Sequence, residues 1–200
     1  MFDFDKAMSA VIAVGDGRGF VVGNRREPYI ITAAHCLPKF PPCASASSTE
    51  ERTYQGILAP LGEKPCAWAE CLFVDPIGDI AILGSPDNQE LCEKANAFDE
   101  LVGSITPLRT AKPGDEGWLL SLHGGWFRCT IERVGPLGPL WLSNLEGKVI
   151  GGMSGSPILS STGKAVGIVC TSAEDDRGVA HEPHGPNPAL DRNMPKWFCG

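Results

Sequence analysis

Apolar residues in this chain come in short bursts, and nearly every burst is closed by Gly, Pro, Asn or Asp. A run of a few apolar or alternating residues between turn formers is too short for a stable helix. It fits one strand crossing a sheet. Six such runs come first: Ser9–Val14, Gly19–Gly23, Tyr29–Ala33, Gln55–Leu61, Ala67–Val74 and Asp79–Leu83. After a polar stretch from Ser85 to Asp99, six more follow: Ser104–Leu108, Glu116–Leu122, Phe127–Val134, Leu140–Asn144, Ser156–Leu159 and Lys164–Thr171. Their β-branched and aromatic content and their spacing predict an all-β sandwich or barrel in two similar halves. Only Ser85–Phe98 and the tail Pro188–Trp197 carry any helical character.

Composition narrows the function classes. With 24 Gly and 17 Pro in 200 residues, the chain has the turn formers that many short strands need. Its net charge of −7 and lack of a basic run argue against a nucleic-acid binder held by phosphate contacts. No apolar run approaches the roughly 18 residues of a membrane span. The segment MFDFDKAMSAVIAV carries aspartates where a secretory signal places basic residues, so the expectation is a soluble, cytoplasmic protein. Its eight cysteines then read as thiols in a reducing compartment, several of them buried. No cysteine pair has zinc-ribbon spacing. His181, Glu182 and His184 sit in a Pro/Gly-rich stretch that reads as an exposed loop, so neither a metal nor another cofactor is expected.

Three segments stand out chemically. Ile30-Ile31-Thr32-Ala33-Ala34-His35-Cys36 is an apolar strand ending in two alanines and a histidine, and Asp79-Ile80-Ala81-Ile82-Leu83 opens a strand with an aspartate. Gly151-Gly152-Met153-Ser154-Gly155-Ser156-Pro157 puts a serine in a tight glycine-flanked turn, where positive φ lets backbone N–H groups converge. Each alone has an ordinary explanation: a hydrogen-bonded histidine, a turn aspartate, a loop. Together they supply what acyl transfer needs. A serine hydroxyl needs a base within reach, and the base needs a carboxylate to fix its tautomer.

ITAAHC, DIAIL and GMSGSP resemble the three signature segments of the chymotrypsin/trypsin-like serine peptidases, and the Ser-Gly-Ser-Pro ending resembles the compact prokaryotic, glutamyl-endopeptidase-like branch. The resemblance implies two six-stranded antiparallel β-barrels with the active site between them. Residues 1–85 would carry the histidine and aspartate, 86–103 would link the halves, and 104–200 would carry the serine. It further implies a serine endopeptidase acting on protein or peptide substrates through an acyl-enzyme. His35 would be the general base, Asp79 its orienter and Ser154 the nucleophile, with the N–H groups of Gly152 and Ser154 as oxyanion hole. Ser156 is the rival serine, but the family pattern places the nucleophile two residues earlier. The reading from a different class is a catalytically silent member of this fold serving as a protein-binding module.

Departures from the pattern also inform. Gly19–Gly23 offers Cys36 no disulfide partner, and Met153 stands where zymogens carry an aspartate. The resemblance therefore points to an enzyme folded directly into its competent form, or one controlled by a regulatory protein partner. The family's primary pocket maps onto Lys148, Val149, Ile150 and Gly151 on one side and Val169, Cys170, Thr171 and Ser172 on the other. Lys148 at the floor position argues against a trypsin-like preference. Either it pairs with an acidic substrate side chain, or it reaches solvent and leaves Val149 and Val169 to hold a small or medium apolar one. The second is the expectation, because Val149 and Val169 stand where glutamyl endopeptidases place polar groups.

Overall fold

Alternation along the strands divides the apolar side chains between two layers. In the computed structural model, which describes residues 3–42, 49–87, 90–133, 135, 136, 140–170, Pro188, Leu190, Met194, Pro195 and Phe198, the first six runs are all strands. They are β1 (Val11–Val14), β2 (Gly17–Gly23), β3 (Pro28–Thr32), β4 (Thr53–Pro60), β5 (Ala67–Asp75) and β6 (Ile80–Gly84). They close into an antiparallel barrel in the order β1-β2-β3-β6-β5-β4. Val21, Ile30, Ala81 and Leu83 join one core cluster within this barrel. Their alternates Phe20, Val22, Ile31, Ile80 and Ile82 join another that continues into the second half of the molecule. Burial on both faces explains why β3 and β6 read as unbroken apolar runs.

The second half is a curled half-barrel of five strands: β7 (Glu116–Leu120), β8 (Trp126–Arg133), β9 (Leu140–Ser143), β10 (Pro157–Ser160) and β11 (Ala165–Ile168), ordered β11-β10-β7-β8-β9. The same two-way division recurs. Leu119, Ile158 and Val166 face its own core, while Leu120, Leu159 and Ala165 pack against the outer side chains of the first barrel. The shared layer holds the two halves together and is what fixes residues of one against residues of the other.

The two-barrel, all-β expectation holds, with one strand changed. Ser104–Leu108, expected as the first strand of the second half, makes only an isolated bridge from Leu108 to Ala165. Pro107 has no N–H to give to a ladder. Its carbonyl accepts from the Ala165 N–H at 2.8 Å, while the Thr106 N–H donates to the Val21 carbonyl at 2.7 Å. The segment stitches the two sheets together instead of extending either. Helical character within Ser85–Phe98 becomes α3 (Cys92–Leu101), which buries Ala95 and Phe98. Two shorter helices, α1 (Phe4–Met8) and α2 (Thr49–Arg52), carry too few residues for a periodic signal. The Asp3 side chain caps α1 by accepting from the Lys6 N–H, and Phe4 packs edge-on against Trp118 at 5.0 Å. Most of the Pro188–Trp197 tail lies outside the described residues, though Leu190 and Met194 are buried between the halves. No helix among the described residues is long and apolar enough to cross a membrane.

Candidate active site

β3 ends at Thr32, and the chain then turns through one 3-10 turn, Ala34–Cys36, that presents His35. The histidine is therefore not a strand residue but the middle of a tight turn whose neighbours Ala34 and Cys36 are buried. Small side chains let that turn lie flat on the barrel while the imidazole stays exposed. Asp79 likewise precedes its strand: it sits in the β5–β6 turn at φ 52°, a left-handed conformation that an aspartate tolerates better than most residues.

That conformation aims the Asp79 carboxylate at the 3-10 turn. One oxygen accepts the backbone N–H of His35 at 3.0 Å and the other lies 2.7 Å from the imidazole Nδ1. Two bonds to one residue fix the ring's position and place a proton on Nδ1, leaving Nε2 free to accept. The Asp79 side chain is 19% exposed against 44% for His35, so the carboxylate is the sheltered member of the pair. Cys170 lies beneath it, with Sγ 3.8 Å from the Gly78 and Asp79 carbonyl oxygens, a position that fills space under the aspartate turn.

Ser154 comes from the turn before β10. The Met153 side chain is buried in the core of the second sheet, and the Met153 N–H donates to the Ile150 carbonyl at 3.2 Å. From the other side β2 clamps the turn. The Arg18 N–H donates to the Ser154 carbonyl at 2.7 Å, while within the second half the Gly155 N–H donates to the Val169 carbonyl, just after β11, at 2.6 Å. Glycine is required at 155: its φ is +82°, and a Cβ there would stand 1.7 Å from the Arg18 carbonyl oxygen. Arg18 is itself buried. Its guanidinium donates to the Leu120 and Ser121 carbonyls, each at 3.0 Å, and desolvation pulls its pKa below the ordinary arginine value. One arginine of the first barrel thus ties the serine turn and β7 of the second sheet together.

His35 and Ser154 line the same cleft. Among the described residues no hydrogen bond joins the Ser154 hydroxyl to the imidazole, a contact that in unliganded sites often tightens only with substrate. The Gly152 and Ser154 N–H groups have no backbone acceptor among the described residues, and Gly152 takes φ +86°. Ser156, the rival serine, is fully buried, with its hydroxyl unpartnered among the described residues.

The residues assigned to the primary pocket are only partly gathered. Lys148 is exposed, Val149 is half-buried against the second core, and Val169 and Cys170 are buried. Thr171 and Ser172 lie outside the described residues, as do His181, Glu182 and His184. No cluster able to hold a metal occurs among the described residues. Cys36, Cys66, Cys71, Cys92 and Cys129 carry free thiols; Cys43 and Cys199 lie outside the described residues. Burial pushes the Cys36 thiol up to about 11, so it stays neutral beside the site. Sequence reasoning missed Asp16 and Gln55–Ile57, which line the cleft from the β1–β2 turn and from an irregular stretch of β4. The glycines at 15, 17 and 56 were their only trace in the sequence.

The sequence model of a family described as "Trypsin-like peptidase domain" matches residues 17–168, a span that includes His35, Asp79 and Ser154. No curated protein matches the chain. Among solved structures, one described by "Aromatic interactions drive the coupled folding and binding of the intrinsically disordered Sesbania mosaic virus VPg protein" is similar with a TM-score of 0.50. It is 20% identical, over 81% of this chain and 78% of that one, which is a likeness of fold alone.

Proposed function

Since the chain belongs to the trypsin-like peptidase domain family, we propose that it is a serine endopeptidase that cleaves through an acyl-enzyme on Ser154. The observation that carries this is the Asp79–His35 pair, bonded at 2.7 Å and 3.0 Å, opening onto the cleft that Ser154 lines.

His35 Nε2 takes the proton of the Ser154 hydroxyl as its oxygen attacks the substrate carbonyl carbon, and the carbonyl electrons move onto oxygen. The N–H groups of Gly152 and Ser154, which have no backbone acceptor among the described residues, hold that oxyanion. Asp79 keeps the imidazole in the Nδ1–H tautomer and stabilises the imidazolium. The C–N bond then breaks, the amine leaves with the proton from His35, and water repeats the sequence to free the enzyme.

The exposed Lys148 and the half-buried, apolar Val149 favour a small or medium apolar residue before the cut over a glutamyl-endopeptidase-like pocket. Burial of Met153 in the core favours a site that is competent without a new amino terminus. Peptide hydrolysis by serine variants tests the reading. Ser154→Ala is expected to abolish turnover and Ser156→Ala to retain much of it. Equal hydrolysis by Ser154→Ala and wild type would overturn the assignment.

A further inference from the structure

The cleft that Ser154 lines has a volume of about 620 Å³. Lys148, Val149, Val169 and Cys170, which flank Ser154 on the pocket side, do not line it. Most of its wall comes from the first barrel, from the β1–β2 turn, the residues following His35 and the irregular part of β4, and Gly151, Gly152 and Ser154 of the serine turn close it. His35, the group that hands a proton to the departing amine, lines it. The chain segment after the cut bond is therefore the part of a substrate that this cleft receives.

The wall carrying Asp16 is rigidly held. The Gly15 N–H donates to the Ile57 carbonyl at 2.8 Å, which pins the turn to β4. A Cβ on Gly17 would lie 2.5 Å from the Cys36 sulfur and 2.7 Å from the Ser154 carbonyl oxygen, so the turn sits hard against the nucleophile's own backbone. Among the described residues Asp16 is the only carboxylate lining the cleft, and no Lys or Arg among them lines it. Asp16 is exposed and makes no ion pair with any described residue. The other titratable groups there are His35, already engaged by Asp79, and the neutral thiol of Cys36. An unpaired carboxylate on a fixed turn beside the leaving group is complementary to a cation, and the net charge of −7 has the same sign.

We propose that this cleft holds the segment following the cut, and that Asp16 selects substrates with Lys or Arg at its first or second residue. The inference rests on the peptidase reading above. A long basic side chain reaches the exposed carboxylate without burying its charge, so the selection is moderate and sensitive to salt.

A proteome-derived peptide library digested by the full chain, with new amino termini identified by mass spectrometry, tests this. Wild type is expected to enrich Lys and Arg over Glu at one of the first two positions after the cut. The enrichment is about fivefold at low salt and shrinks as salt rises. Asp16→Asn brings the ratio near one, and Asp16→Lys turns it towards Glu; each ratio is internal to its variant. Cleavage by wild type with no such enrichment, or an Asp16→Lys variant that keeps it, overturns this inference and leaves the peptidase reading standing. A wild type that cuts nothing and leaves an activated ester untouched overturns the peptidase reading, and this inference with it.

Discussion

Replacing Gly155 by alanine tests how the serine turn is held. The added Cβ would lie 1.7 Å from the Arg18 carbonyl oxygen, 2.7 Å from its carbon and 2.8 Å from the Thr32 hydroxyl oxygen, whereas ordinary contact begins at 3.4 Å. The struck group is backbone within β2, so no side chain can rotate aside. Left-handed φ in a residue with a Cβ costs about 1–2 kcal/mol, and forced overpacking of a tight site about 1–3 kcal/mol. The expected loss is about 2–5 kcal/mol out of a total stability of about 5–15 kcal/mol. If the turn retreats, it gives up the Arg18-to-Ser154 bond at 2.7 Å, and Ser154 moves relative to His35. Urea unfolding reads the stability and the labelling rate with a fluorophosphonate reads the register. Gly103→Ala is the control: nothing lies within 4 Å of its Cβ and its φ is not left-handed, so it is expected to be neutral or slightly stabilising. Wild-type unfolding and labelling in Gly155→Ala would refute the clamp.

Three further expectations concern charge and thiols. Asp79→Asn is expected to lower turnover by about four orders of magnitude while changing the cleft little, because the amide favours the wrong tautomer; steady-state kinetics decide it. Burial raises the pKa of Glu70 above its ordinary 4.5, despite the neighbouring Arg52, so its ionised form is disfavoured in the fold. Its contribution is greatest below the ordinary value and falls as pH rises through the raised one. The stability of wild type relative to Glu70→Gln should therefore increase from pH 7 to pH 4 in urea titrations. Alkylation of the native protein at pH 8 is expected to take exposed Cys66 and Cys92 first. Cys36 and Cys71, pushed up to about 11, and Cys129, pushed up to about 12, should react about 100-fold more slowly by peptide mapping.

Much of the fold is legible because burial leaves a pattern in the residues themselves. Runs such as Ile30-Ile31 and Ile80-Ala81-Ile82-Leu83 are apolar throughout because their two faces enter two different core layers. Ser104–Leu108 reads as a strand by the same pattern, but its backbone partners, Val21 in one sheet and Ala165 in the other, belong to tertiary structure that no local window contains. The triad candidates are legible from residue type and from resemblance. The left-handed φ of Asp79 that aims its carboxylate is not, since nothing local demands it. Lys148 looks like a pocket floor by position, yet its exposure depends on how the stretch before Ser154 packs. Asp16 is one turn aspartate among many until β1, β4 and the serine turn are brought together around the cleft.

Whether His35 activates Ser154 as a nucleophile is decided by fluorophosphonate labelling of the uncut chain, followed by mass-spectrometric mapping of the adduct. A single adduct on Ser154 is expected, with labelling lost in His35→Ala and no prior proteolytic cut required. Absence of any adduct, an adduct on another residue, or undiminished labelling in His35→Ala would contradict it.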